Sequence, residues 1–148
     1  MKRRGGFTLV ELLIVIMIIA ILAGMMLLAT GSATDSAEAT KVINDLRAVK
    51  SATLLYMADN NSWPAASVGT ALDLYLDRPF DTARYTDLRV VSGDTTGERE
   101  LIGFTLAGNT VNKAGVRNKI QSKAAESGIF AIGGVSYTGG SDVFMNMR

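Results

Sequence analysis

The chain has no cysteine and no histidine. The first absence excludes a disulfide framework, a thiolate metal site, a cysteine nucleophile and a lipidated cysteine anchor. The second removes the commonest general base and the commonest transition-metal ligand. Proline is scarce, 2 in 148 residues, and neither comes before Pro64. An excess of one charge is also missing. The 15 Lys and Arg against 14 Asp and Glu leave +1, which gives no basic field for nucleic acid. No glycine-rich loop leads into a helix with a phosphate-binding lysine. These gaps point away from an enzyme and away from a nucleic-acid-binding protein. With 48% hydrophobic and 20% charged residues, the composition is not that of a disordered chain.

What is present is concentrated at one end. Lys2, Arg3 and Arg4 precede Gly5 and Gly6, and a long apolar run follows. Residues 12–34 are 23 uncharged residues in succession. At 1.5 Å per residue, about 20 apolar residues cross a bilayer core as a helix. The cations before the run keep that end cytoplasmic by the positive-inside rule. Three readings compete: a signal peptide cut near Ala29-Thr30-Gly31, a plain single-span anchor, or a precursor cut before the apolar run. Glu11 separates them. A carboxylate near the centre of a membrane helix costs roughly 2.5–3.5 kcal/mol, and the first two readings have no use for it. The bland alternative places Glu11 at the interface, where it costs little.

Gly6-Phe7-Thr8-Leu9-Val10-Glu11, behind a short basic leader and ahead of about twenty apolar residues, resembles the prepilin signal of type IV pilins and pseudopilins. The resemblance implies cleavage after Gly6 by a prepilin peptidase and N-methylation of the new terminus, Phe7. It also implies an assembly role for Thr8 and Glu11. The implied fold is α+β, a long N-terminal helix packed on a small antiparallel sheet. The implied partners are copies of the chain and related pilins in a helical filament, the prepilin peptidase, an inner-membrane assembly platform and, before assembly, the lipid bilayer. The implied location is a single pass of the bacterial inner membrane, then a pilus or a periplasmic pseudopilus. A pilus subunit is the first reading and a type II secretion pseudopilin the alternative. A secreted or membrane-anchored binding domain is the second alternative. Many members of the family carry a proline in the second half of the apolar segment. This chain has none there, so Gly24 and Gly31 are the only weak points, each costing ~1 kcal/mol in a helix.

The chain divides on this reading into a leader at 1–6, an apolar helix half at 7–34, an amphipathic half at 35–60 and a C-terminal part at 61–148. In the amphipathic half Ala39, Val42, Leu46, Val49, Thr53 and Tyr56 recur at spacings of three and four, one stripe of a helix. Ile43 and Leu54 widen it. Asp45 falls off the stripe and is expected to face water. A coiled-coil dimer would use the same stripe, but the segment at 61–148 needs a helix to cover its sheet.

Asp59-Asn60-Asn61-Ser62 is expected to end the helix, with Trp63-Pro64 covering that end. Residues 70–76 read as a short helical turn and 77–87 as loop. Strands are expected at 88–92, 101–107, 129–137 and 143–147. The loop at 93–97 would join the first pair as a hairpin, and Gly139-Gly140 the second. Between them, 113–127 carries Val116, Ile120 and Ala124 at spacing four, with Gly128 as C-cap. Arg117, Lys119 and Lys123 would form a wet basic face there. No catalytic residue and no metal site is expected. The only mild cation candidate is Asp142, with Ca²⁺ as the ion, since some pseudopilins bind calcium in a C-terminal loop.

Overall fold

The computed structural model describes residues 6–64, 71–92 and 100–147, apart from the side chains of 28–30 and 92. The leader cations and the loop at 93–97 lie outside the described residues. The elements are α1 (Leu9–Asn60), β1 (Tyr85–Ser92), β2 (Glu100–Leu106), α2 (Ala114–Ser127), β3 (Ile129–Phe130) and β4 (Asp142–Asn146). The chain forms two compact units, Met1–Thr34 and Asp35–Arg148. Among the described residues of the first, α1 is the only element. The second is α+β, with the latter part of α1 and α2 packed with a four-stranded antiparallel sheet of order β1-β2-β4-β3.

α1 runs unbroken through Gly24 and Gly31. No proline interrupts its i→i−4 ladder. It stops where Asn61 turns left-handed, at φ 50°, and donates its N–H to the Met57 carbonyl at 2.8 Å. Its buried stripe in the second unit is Ala39, Val42, Leu46, Val49 and Thr53, with Ile43 alongside. The Thr53 hydroxyl donates to the Val49 carbonyl at 2.8 Å and so enters the core satisfied. Leu54 does not widen the stripe. It is exposed, and Ala52 is buried in its place. Position 52 lies three residues on from Val49, where the helix repeat returns to the core face.

Strand pairing explains the sheet's two buried faces. On one, Ile102, Phe104, Val143 and Met145 join the α1 residues in the main core. On the other, Phe144 lies beside Gly103, its register partner, with the Arg89 guanidinium 5.2 Å from its ring. A Cβ at position 103 would stand 2.1 Å from the Val143 carbonyl oxygen and 2.5 Å from Phe144 Cδ1. The first of these is backbone in a paired strand and has no room to retreat. Gly103→Ala is therefore expected to lower stability by about 2–3 kcal/mol, read as a shift in the urea midpoint. An unchanged midpoint would mean that β4 yields freely.

Three expectations for this half are corrected. The strand expected at 129–137 stops after Phe130. Gly133 and Gly134 take φ of 85° and 74°, and the Ala131 N–H closes a turn onto the Val135 carbonyl at 2.8 Å. A strand cannot continue through two left-handed residues. β3 is thus two residues long and pairs with β4 across a connection much longer than a Gly-Gly hairpin. Part of the expected loop at 77–87 is strand, since β1 begins at Tyr85. Its first residues look polar because Asp87 sits at φ 52° in a register irregularity between Thr86 and Arg89. Residues 72–75 form a turn rather than a helix, closed by the Tyr75 N–H on the Leu72 carbonyl at 2.9 Å. β2 and β4 fall within a residue or so of their expected positions, and α2 ends as expected. Val116, Ile120 and Ala124 are buried, and Gly128 at φ 64° donates to the Ala124 carbonyl.

Candidate assembly site at the start of the helix

Gly6, Phe7 and Thr8 precede the helix, and all three are exposed. Thr8 is the N-cap and Glu11 the third helical residue. The Glu11 carboxylate Oε2 accepts the Thr8 N–H at 2.8 Å and the Thr8 hydroxyl at 2.7 Å. The Thr8 hydroxyl oxygen accepts the Glu11 N–H at 3.3 Å. This reciprocal arrangement is a capping box, which satisfies donors that a helix start otherwise leaves open. The negative charge also sits at the positive end of the helix dipole. The four site residues of the sequence reading thus fall within six consecutive positions, and two of them bind each other. Threonine three residues before glutamate, ahead of an apolar run, is itself a sequence signal of this cap. The cap is a role for Glu11 beyond the charge in lipid and the assembly role expected from the sequence.

Beyond the cap the helix offers an apolar surface on all sides. From Phe7 to Leu27 the large apolar side chains are exposed, by 45% at Val15 and 81% at Leu9. Soluble monomers rarely expose so large an apolar surface, which marks a membrane or protein contact. Among the described residues, α1 is the one helix long and apolar enough to cross a membrane.

Residues 1–27 match the prokaryotic N-terminal methylation motif. Over its N-terminal part the chain is similar to the type IV pilin and pseudopilin family. Similar proteins to this pilin-like chain include the type II secretion system core protein G of Aeromonas hydrophila, 33% identical over 53% of both chains. The protein of that name from Klebsiella pneumoniae is 35% identical over 47% of this chain and 49% of its own. That from Klebsiella michiganensis is 38% identical over 47% of this chain and 50% of its own. The pilin-like chain spans about half the length of the curated relatives it matches.

The second unit carries a polar cluster that periodicity did not reveal. Asp45 does not face water. Its side chain is only 13% exposed, and it accepts the Tyr85 hydroxyl at 2.6 Å and an Arg78 N–H at 2.6 Å. Two helical turns earlier, Glu38 pairs with Arg84. Asp45 thus ties α1 to the chain just before and at the start of β1. Its partners lie 33 and 40 residues away, a separation no local pattern encodes. Asp45→Ala is accordingly expected to cost about 1–3 kcal/mol, by leaving the half-buried Tyr85 hydroxyl without its acceptor.

Burial, and then the Asp45 carboxylate, push the Tyr85 hydroxyl well above the usual tyrosine range. Burial pushes Tyr137, whose hydroxyl donates to the Gly140 carbonyl, up to about 12. Both tyrosines must stay protonated in the fold, whereas the unfolded chain releases those protons near pH 10. The stability they contribute is complete below about pH 10 and is lost as the pH climbs through the raised values. Tyr85→Phe should flatten this alkaline decline in a series of melts. An identical decline in the variant would assign the whole effect to other groups.

Asp142 is already engaged. Its Oδ1 accepts the Thr105 hydroxyl at 2.5 Å and lies 3.7 Å from an Arg89 nitrogen. Among the described residues no three carboxylates gather as a metal site. The basic face expected on α2 is half-exposed and partly engaged. Arg117 donates to the Asn112 carbonyl and side chain, and Lys123 donates to the Thr40 hydroxyl at 2.9 Å. The first turn of α2 has no side-chain cap of its own, and the Asp35 carboxylate of α1 lies against Gly115 there.

Proposed function

We propose that this pilin-like chain is a structural subunit of a type II secretion pseudopilus, with no reaction of its own. It is made as a precursor, cut after Gly6 by a prepilin peptidase, N-methylated on Phe7 and held in the inner membrane as a single pass with its leader inside. It then packs through α1 with copies of itself and related subunits, on an inner-membrane assembly platform, into a periplasmic filament. The observation that carries this reading is the capped helix start, a carboxylate held one turn from an exposed phenylalanine and followed by an uncovered apolar helix. The relatives' shared name supports the pseudopilus over the pilus subunit that the sequence alone put first. Cleavage removes three cations and takes the side-chain balance from +1 to −2.

The bilayer shapes the energetics. Apolar helices in lipid gain little hydrophobic energy from one another, so packing and polar contacts select the partner. Glu11 supplies such a contact, and its natural partner is the Phe7 amine of a neighbouring subunit. An ion pair in low dielectric stabilises only when both charges are matched, which enforces register.

Processing is tested first. Mass spectrometry should find a mature chain beginning at methylated Phe7, and Gly6→Val should leave the leader uncut, since the peptidase must approach the backbone where Gly6 has no side chain. A mature chain beginning at Ser32 or Thr34 would make the apolar run an ordinary signal peptide. Deleting the gene should then stop export of folded periplasmic enzymes. Loss of surface pili with export intact would return the assignment to the pilus.

A further inference from the structure

The bond to be cut on the proposed reading lies just outside the helix. Gly6, Phe7 and Thr8 are exposed and precede α1. The first carbonyl that the helix engages is that of Thr8, which accepts the Leu12 N–H at 3.3 Å. The Gly6 carbonyl, which the peptidase must attack, stands two residues before that point, and among the described residues no backbone N–H donates to it. The capping box holds the start where it is. The Thr8 hydroxyl oxygen accepts the Glu11 N–H, and Glu11 Oε2 returns to the Thr8 N–H and hydroxyl.

Without that box the start has somewhere else to go. Phe7 has no side-chain oxygen and makes a poor N-cap. Gly6 is the next residue back that serves, since glycine ranks beside threonine at an N-cap and far above alanine or valine. With Gly6 in that role, its own carbonyl would accept the Val10 N–H, because the N-cap carbonyl takes the first helical bond. The Gly6–Phe7 bond would then belong to the first turn. Hydrolysis adds water across that bond, leaving a carboxylate on Gly6 and an amine on Phe7. The attack needs an open face on the Gly6 carbonyl, and a helical turn closed upon it takes that face away.

We infer that Thr8 is a positioning residue for cleavage of the precursor, its cap stopping the helix short of the Gly6–Phe7 bond. The inference rests on the pseudopilin reading and places the work of Thr8 one step before assembly, the role that the family resemblance implied. Glu11→Ala still leaves the Thr8 hydroxyl free to accept the N–H at position 11, so that variant keeps a cap and is cut.

The test uses the full-length precursor in detergent micelles with a purified prepilin peptidase, cleavage being followed by mass spectrometry. Thr8→Ser and Thr8→Asn keep a capping oxygen and should be cut at the wild-type rate. Thr8→Val keeps the shape of threonine without the hydroxyl, and it should be cut about fivefold more slowly. The loss should fall in KM rather than kcat, because only chains with the bond outside the helix can bind. Backbone ¹³C shifts at Phe7 should be helical in Thr8→Val and non-helical in the wild type and Thr8→Asn. Fast cleavage of Thr8→Val with slow cleavage of Thr8→Asn would show that the peptidase reads side-chain shape at position 8, and would overturn the inference. Equal rates in all variants, or slow Thr8→Val with Phe7 still non-helical, would overturn it too. Each of these leaves the pseudopilin reading intact, whereas a wild-type precursor not cut after Gly6 would sink that reading and the inference together.

Discussion

Glu11→Ala chains should enter the membrane and be cut after Gly6, yet give few filaments. Insertion should improve, because the transfer cost of the carboxylate disappears. Assembly should fail because the Phe7 amine then enters an apolar filament with no counter-charge, a loss of about 3–5 kcal/mol for each buried pair broken. The capping box complicates this variant, since alanine also strips the Thr8 N–H and hydroxyl of their acceptor. Glu11→Gln separates the two roles. Glutamine at the third helical position still completes a capping box, but it carries no charge. If charge matters, Glu11→Gln assembles far below wild type, though its helix starts at the same residue. If the cap is what matters, Glu11→Gln forms filaments normally and Glu11→Ala does not. A normal yield from pure Glu11→Ala protein would reduce Glu11 to an interfacial bystander. A minority of Glu11→Ala chains mixed into wild type should still be incorporated, each costing only its own contacts.

Leu46→Asp should unfold the second unit. Leu46 is fully buried at the centre of the α1 stripe. Replacing it removes about 2–5 kcal/mol of packing and leaves a carboxylate without a partner in the core. Domains of this size hold only about 5–15 kcal/mol in total. Hydrogen exchange on the detergent-solubilised chain should show loss of protection in β2 and β4, with the residues before Thr34 unaffected. Leu46→Met, which keeps the volume, should keep the protection. Retained protection in Leu46→Asp would mean that the stripe faces something other than the sheet.

These two residues mark what the sequence made legible. Leu46 belongs to a helical repeat and Glu11 to a short motif, and both are local patterns. The amphipathic half of α1, the C-cap at Gly128 and the spans of β2 and β4 were readable for the same reason. Asp45 was not, because its environment is set by Arg78 and Tyr85, brought to it by the fold. Which faces of the strands meet the core was not legible either. β2 and β4 are buried on both faces, so their apolar runs carry no period that tells one face from the other. The break after Phe130 was written in Gly133-Gly134, but glycines inside an apolar run read equally well as a bulge.

The shape of the sheet's margins bears on how such a chain polymerises. One margin, β3, offers only two residues before the backbone turns away. The other, β1, is interrupted at Asp87, which pairs with Arg89 across the irregularity. A long flat margin would template the next chain strand upon strand, the route to cross-β aggregates. Both margins here are too short or too kinked for that. A chain whose proposed work is to join copies of itself has thus closed the association route that would compete with its helix. On the proposed reading, growth through α1 would proceed one subunit at a time, whereas a cross-β fibre would recruit any unfolded copy it met.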